Sequence, residues 1–434
     1  MSLARKIGEA AGEPDWVIAI REEAERYIKK APFPEELTPL DLDKYSPLGE
    51  GDVPIPEIKD INDLPENITR LLDKMGIPRR EWPRVLGLVQ VNEQSAAGLA
   101  TLRYFQKIGV ESYLFREALK RVPDIKDYAF KLMPYRENAF VAYHTAYWQG
   151  GIYVRVKEGA KVPQPLHTYF LITRGAHAQA DHALLILEKG SQATLIEGCT
   201  APLLTRFSLH IGATEIFVKE GARARLIVLQ NWPDYVHTRP YTRVLVEEGA
   251  EVEIVVAILG AGRTTGRYEE ILLKGESSKT TIHSISFPRG TSRLEDVIKV
   301  YLEAPNTRAI INTRGIVKDS AQSNSFITVE SRERKGETLA HVECSGLILN
   351  EGATHATYPT MVSSSSRAHL EHEAYVGKIS EEALEYLKSR GLDDEEALSL
   401  MLRGYIEPVA AHMPFEFSME IRRMAKILAE RGTA

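Results

Sequence analysis

The hydrophobic period along the chain changes twice, and the changes divide it into three parts. Between Pro14 and Lys30, Trp16, Ile20, Ala24 and the pair Tyr27/Ile28 recur at helical spacing, and Pro32 and Pro34 stop that helix. From Ala31 to Pro65 the chain carries seven prolines and little periodicity, which predicts an extended segment packed on or tethering another body. Helical patterns return at Glu66–Met75, Gln94–Ile108 and Ser112–Lys120. Residues 1–135 therefore read as a helical region with a Pro-rich extended interruption, a packing or docking layer that shows no chemical constellation.

From about Phe140 the pattern shortens to alternating strands, and a repeat emerges. Lys157-Glu158-Gly159-Ala160, Glu188-Lys189-Gly190-Ser191, Lys219-Glu220-Gly221-Ala222, Glu247-Glu248-Gly249-Ala250 and Leu273-Lys274-Gly275-Glu276 each end one strand and begin another. Their glycines are 31, 31, 28 and 26 residues apart, and Asn350-Glu351-Gly352-Ala353 is a later copy. Glycine suits such turns because it takes positive φ without a Cβ clash. A period of this size marks stacked units that cannot bury an apolar face alone. Strands such as Arg225–Leu229 and Glu253–Ala257 are β-branched, with no helical pattern between them. The prediction is a mainly β chain, with a parallel β-helix over residues 136–378. A β-sandwich is the competing fold, but it does not require near-equal glycine spacing.

After Lys378 the helical period returns. Ser380 reads as an N-cap with Glu381 and Glu382 in the first turn, and Gly391 as a stop. Asp393 and Glu396 read as a capping box opening a helix through Tyr405, and Pro414 opens a last amphipathic stretch, Phe415–Leu428. Residues 379–434 thus form a C-terminal helical domain, either a cap on the β-helix or a partner-binding module.

Composition narrows the function classes. The 434 residues have a formal net charge of −6, which argues against broad electrostatic capture of nucleic acid or an anionic membrane. There is no apolar run of membrane-spanning length, and the first residues lead into no apolar signal core, so a cytoplasmic, soluble protein is expected. Two cysteines, Cys199 and Cys344, exclude a disulfide framework and a zinc site built wholly from cysteine.

Each cysteine taken alone is by default a small buried hydrophobe. Cys199 lies in Glu197-Gly198-Cys199-Thr200-Ala201-Pro202, where Gly198 and Pro202 suggest a turn and a reachable thiol. Cys344 alternates with Val342 and Gly346 on one face of a predicted strand, His341–Leu349. The densest ligand-like cluster is His369-Leu370-Glu371-His372-Glu373-Ala374. Strand alternation puts His369, Glu371 and Glu373 on one face and Leu370, His372 and Ala374 on the other. A zinc-protease reading fails, because it needs histidines four apart on a helix. A solvated edge face is the plain alternative. Ser363–Ser366 reads as a turn, and Gly260-Ala261-Gly262-Arg263 lacks the spacing of a phosphate loop.

Five stretches taken together carry a family resemblance: Pro134–Asn138, Glu197–Pro202, Gln230-Asn231-Trp232, Glu371–Ala374 and Met413–Phe417. In this order they resemble the SufB/SufD family of iron–sulfur cluster assembly scaffolds, the SufB branch more closely. The resemblance implies a right-handed parallel β-helix between helical regions. By position, Cys199 matches the cysteine that receives persulfide sulfur, and Gln230 and Trp232 match residues lining an internal sulfur route. Cys344 matches the cysteine implicated in holding the nascent cluster, with Glu371, His372 and Glu373 beside it. Glu373 is the first choice for an oxygen ligand to iron next to Cys344. The implied cargo is a transient iron–sulfur cluster, and the chain itself is a scaffold rather than an enzyme. The implied partners are a SufC-type ABC ATPase on the C-terminal helices, a sulfur donor such as a cysteine desulfurase, and a second copy or a SufD-like paralogue. Leu384, Leu387, Leu398, Met401, Leu402 and Ile406 exceed what a small cap needs and suit that docking.

The chain departs from the SufB pattern at Leu171, Ile172 and Thr173, where an arginine and asparagines are usual. It has no N-terminal cysteine motif, and it is shorter after Trp232, which argues against carrying over the flavin of SufB-type complexes. Thiolates are the preferred cluster ligands and a permanent centre usually has four. A chain with two, one of them committed to sulfur receipt, suits labile holding between two copies. The rival readings are a SufD-like partner without its own cluster and a β-helix carbohydrate-active enzyme.

Overall fold

The glycine-marked turns close a parallel β-solenoid of about 8 turns, flanked by helices at both ends of the chain. The computed structural model describes residues 1–47, 64, 66, 69, 86–173, 175–202 and 207–430. The helix expected at Glu66–Met75 falls, except for Glu66 and Thr69, outside the described residues. Each coil sends strands to two facing sheets. The first sheet runs from Leu86–Val91 and Leu166–Leu171 through Gln192–Thr200, Arg223–Trp232 and Glu251–Ala261 to Thr338–Ile348 and Ala368–Lys378. The second runs from Gly150–Val156 and Ala178–Leu187 through Ser208–Val218, Thr264–Leu273 and Arg293–Leu302 to Thr354–Ser363.

At four turns the glycine rule holds: Gly159, Gly190, Gly221 and Gly249 have φ between +60° and +67°. Gly275 is there for another reason. A Cβ on it would lie 1.9 Å from the Glu248 nitrogen, and the left-handed position of that turn passes to Ser277 at φ 60°.

Coils stack in register, so each inward position becomes a ladder along the solenoid. One ladder on the first sheet is Leu195, Leu226, Ile254, Ile282, Ile311, Val342 and His372. Its aliphatic members belong to one continuous core that also holds Leu185, Ile216, Ile271 and Ile298 from the second sheet. Where helices cover them the outward faces are largely apolar too, as expected for strands buried on both sides. The helices Asp394–Ala410 and Phe415–Ala429 lie on the first sheet, packing Leu402, Ile406, Phe417 and Ile421 against Ile196, Ile227, Val255 and Ile285. The N-terminal region and the helix Ala139–Tyr147 lie on the second sheet, with Phe140 and Tyr143 against Leu209 and Ile211. Fully buried Arg21 ties these helices down. It binds both Glu13 oxygens, at 2.6 and 2.7 Å, and the carbonyls of Ala146 and Trp148.

Two segments differ from the periodic reading. Gln94–Ile108 is a strand, Gln94–Ala97, followed by the helix Leu99–Lys107. Ser112–Lys120 is split between the strand Val110–Leu114 and the helix Phe115–Arg121. In both, short apolar runs satisfy either period, and the open edge of a sheet decides by offering hydrogen bonds to the strand. Leu402 and Ile406, expected on a docking surface, are buried on the chain's own sheet. The C-terminal caps follow the sequence: Ser380 caps Glu381–Ser389, and the Asp393/Glu396 capping box is complete. No helix among the described residues is long and apolar enough to cross a membrane.

Ile254 is fully buried in the middle of its ladder. Ile254→Ala should lower stability by about 2–5 kcal/mol, the usual cost of a core cavity, read as a lower urea midpoint. An unchanged midpoint would contradict the continuous core.

Candidate functional site

Further along the same strands the inward positions mix apolar side chains with polar ones. On the first sheet the ladder next to the aliphatic one is Glu197, Val228, Val256, Ser284, Thr313, Cys344 and Ala374. The ladder beyond it is Cys199, Gln230, Ile258, Ser286, Gly315, Gly346 and Val376. Both cysteines therefore point into the same lumen from adjacent ladders. Five coil steps separate them, about 24 Å at roughly 4.8 Å per step.

Cys199 is not at a turn. It is the penultimate residue of the strand Gln192–Thr200 and is 4% exposed, because Gly198 continues the parallel ladder beside Leu229. A narrow cavity of about 20 Å³ adjoins it, lined by Asp181, Glu197, His210, Thr214, Gln230 and Arg267 among others. That is room for about one or two water-sized atoms, and too little for a cluster. Burial, with the Asp181 and Glu197 carboxyls nearby, drives the Cys199 thiol well above its ordinary range. Burial also raises the Glu197 carboxyl to about 7, opposed by a hydrogen bond from Thr214 at 3.1 Å. His210 is held neutral by burial, its titration pushed down to about 3, and its ring lies 4.9 Å from Trp232. Gln230 sits directly beside Cys199 in register, and Trp232 is the next inward residue on that strand. The Gln230 Oε1 and Trp232 Nε1 atoms are buried and make no hydrogen bond among the described residues.

Between the cysteines, Arg267 reaches across the lumen. It donates to both Asp296 oxygens at 2.7 Å, to Glu269 at 2.8 Å and to Ser284 of the first sheet at 3.1 Å. Glu269 Oε2 is buried without a hydrogen bond among the described residues.

Cys344 is 1% exposed beneath the last coil. Burial raises its thiol to about 11, opposed by a Thr313 hydrogen bond. The acidic-histidine segment divides around it. Cys344 pairs with Ala374, so His372 shares its inward face while Glu371 and Glu373 point outward beside His341 and Glu343. Glu371 faces His341 at 3.5 Å and is 75% exposed. The sheet thus separates Glu373, the first-choice oxygen ligand, from Cys344 of its own chain, and brings His372 to the thiol's side. A residue not singled out in the sequence joins them. His355, inward on the second sheet, lies over Gly346 and Gly315, where added Cβ atoms would come within 2.1 and 3.0 Å of its ring. Burial lowers its titration to about 4, leaving the neutral imidazole that binds metals. Two inward glycines on successive coils were the available signal for a bulky group opposite. Glu197, His210 and Arg267 were equally legible as inward positions, once the strand parity was known.

In the native chain at neutral pH neither thiol should react with an aromatic disulfide reagent, and two should react after unfolding; fast native labelling would contradict their burial. Glu197 supplies a separate check. Its folded value near 7 lies above the unfolded value of about 4.3, so the folded chain holds the extra proton between them. Stability from this group is complete below about pH 4 and falls as pH rises towards 7, by up to about 1.4 kcal/mol per pH unit. Glu197→Gln should flatten that part of the slope in urea midpoints compared across pH 5–8, and an identical slope in the variant would exclude Glu197 as its source.

Comparison with known proteins identifies the family. A family model described as SUF system FeS cluster assembly, SufBD core domain, matches residues 170–405. An iron–sulfur cluster assembly SufBD family protein of Pyrococcus horikoshii is 37% identical over 97% of this chain and 94% of its own length. Proteins of the same description from Staphylococcus haemolyticus and Staphylococcus saprophyticus are 31% and 32% identical over 99% of this chain and 92% of their own lengths. The family model spans more than half of the chain and these relatives nearly all of it, and the chain belongs to the SufBD family of iron–sulfur cluster assembly proteins.

Proposed function

We propose that this chain is a scaffold subunit on which an iron–sulfur cluster is assembled from sulfur received at Cys199 and held at Cys344. The observation that supports the reading is the placement of both thiols on one inner face, with Gln230 and Arg267 lining the cavity beside Cys199 and Arg267 reaching Ser284, two coil steps from Cys344. The Cys199 thiolate attacks the terminal sulfur of a donor persulfide, such as that on a cysteine desulfurase. A new S–S bond forms on Cys199, the donor's S–S bond breaks, and the donor leaves as a thiolate, with no net oxidation. Glu197 takes the Cys199 proton, which its value near 7 permits at neutral pH.

The cluster is cargo, and its place is the terminal coil. There Cys344, His355 and His372 face inward, and Glu371 and Glu373 stand on the rim. Imidazole beside a single thiolate gives exchangeable ligation, which a donor needs. The strands Thr354–Ser363 and Ala368–Lys378 end both sheets and expose Tyr358, Val362, Tyr375 and Val376. Such an edge invites a second copy or a SufD-like paralogue, whose residues would complete the ligand set.

The C-terminal helices lie on the very sheet whose inner face carries both thiols. An ABC-type ATPase docked on them would be able to open the closed lumen. Their outer side keeps Tyr386, Leu400, Phe415 and Met419 exposed, beside a groove of about 420 Å³ that includes Leu392, Arg403 and Lys426. Deleting residues 380–434 would bare the apolar face of the first sheet, so point substitutions are the better test of docking. The carbohydrate-enzyme reading loses ground because Asp181, Glu197, Glu269 and Asp296 face an enclosed lumen and not an open groove.

Cys199→Ser should abolish persulfide loading from a desulfurase while leaving cluster reconstitution from free sulfide intact, read by mass and by absorption under anaerobic conditions. Cys344→Ala should abolish reconstitution from either source. Equal persulfide labelling of wild type and Cys199→Ser would overturn the sulfur route. Phe415→Glu with Leu400→Glu should remove co-purification of the ATPase subunit and leave the circular dichroism unchanged; undiminished co-purification would reject the docking surface.

A further inference from the structure

A second set of metal-ligating side chains lies on the outer face of the first sheet, away from the lumen. Glu253 is outward on the strand Glu251–Ala261, His283 is outward on the next strand, Lys279–Ser286, and His412 sits in the turn between the two C-terminal helices that cover them. The His283 and His412 rings stack with centroids 3.9 Å apart. His412 Nδ1 is 3.2 Å from Glu253 Oε1. One ligand atom from each of the three residues lies within 4.8 Å of the others. All three side chains are partly exposed, so an ion from solvent can reach them.

The surroundings orient these groups. Asn312 lies 3.4 Å from His283 Nδ1, and its amide oxygen, turned to that position, would accept the Nδ1 proton and leave Nε2 free to bind. Arg225 holds Glu253 through Oε2 at 3.0 Å and Oε1 at 3.3 Å, and also donates to the His412 carbonyl. Partners of this kind position metal ligands, although the guanidinium charge weakens affinity for a cation. A hydrogen-bonded cap between turn and sheet needs only the His412–Glu253 pair. It leaves unexplained why His283 brings a third ligand-type atom within 4.8 Å of the other two at the same point.

We infer that Glu253, His283 and His412 form a binding site for a divalent first-row metal ion, which pins the turn of the C-terminal helical hairpin to two adjacent coils. Two imidazoles and one carboxylate with open positions suit ferrous iron, and the same donors accept cobalt or zinc. The choice of iron rests on the cluster-assembly reading; the existence of the site does not.

Cobalt(II) is the probe, titrated anaerobically into the full-length chain carrying Cys199→Ser and Cys344→Ser, so that no thiolate contributes. About one cobalt per chain should bind, with visible d–d absorption and no sulfur charge-transfer band, and it should raise the melting temperature. Adding Glu253→Gln or His283→Asn should weaken binding about tenfold or more and remove the thermal shift, with circular dichroism unchanged. Excess ferrous iron should displace the cobalt signal. Absence of saturable binding, or equal binding in both added variants, would overturn the site and leave the three residues a cap contact. Failure of iron to compete would overturn the iron assignment. The cysteines are absent from this assay, so its outcome is independent of whether wild-type chains assemble a cluster.

Discussion

The shared register between coils, interrupted on the first sheet at Leu86/Leu88 and at Ile258/Gly260, is the constraint on which everything else in this molecule depends. With each residue hydrogen-bonded above and below its counterpart, an inward position in one coil is inward in all, and side chains form files along the axis. The aliphatic file from Leu195 to Val342 supplies the driving force, at about 1.5–3 kcal/mol for each fully buried side chain. A slip of one residue would turn that file outward and the charged turns inward. The same rule that builds the core also stacks Ser284, Thr313 and Cys344 on successive coils and puts Glu197 on the same ladder, beyond Val228 and Val256.

A lumen of this kind costs stability. Arg267 is buried with Asp296 and Glu269, and a buried ion pair seldom repays its desolvation. Burial also keeps both thiols protonated, which is the wrong form for sulfur chemistry or iron binding. Both effects follow from enclosing polar and thiol side chains in the lumen, where each is cut off from bulk water. The helices on the outer faces provide the rest of the closure. They leave the terminal coil bare, where both sheets end in unpaired strands and aromatic side chains stand in solvent.

Much of this was legible before any coordinates. Repeated glycines and β-branched alternation determined a mainly β stack of coils, and prolines with capping residues determined where the C-terminal helices begin. The motifs around Cys199 and Glu371–Glu373 determined the family. These are local signals, set by backbone sterics and side-chain period. The tertiary structure decided which way each strand faces and what covers it. Gly198 and Pro202 suggest a turn, yet the neighbouring coil pulls Cys199 into a ladder and closes it from solvent. Glu373 and Cys344 look like partners along the chain, yet pairing of Cys344 with Ala374 puts the sheet between them and brings His372 and His355 instead. Leu402 and Ile406 look free to bind a partner, yet the outer face of the first sheet claims them. Parity, register and the covering layer are set by contacts between residues tens to hundreds of positions apart, and no local pattern carries them.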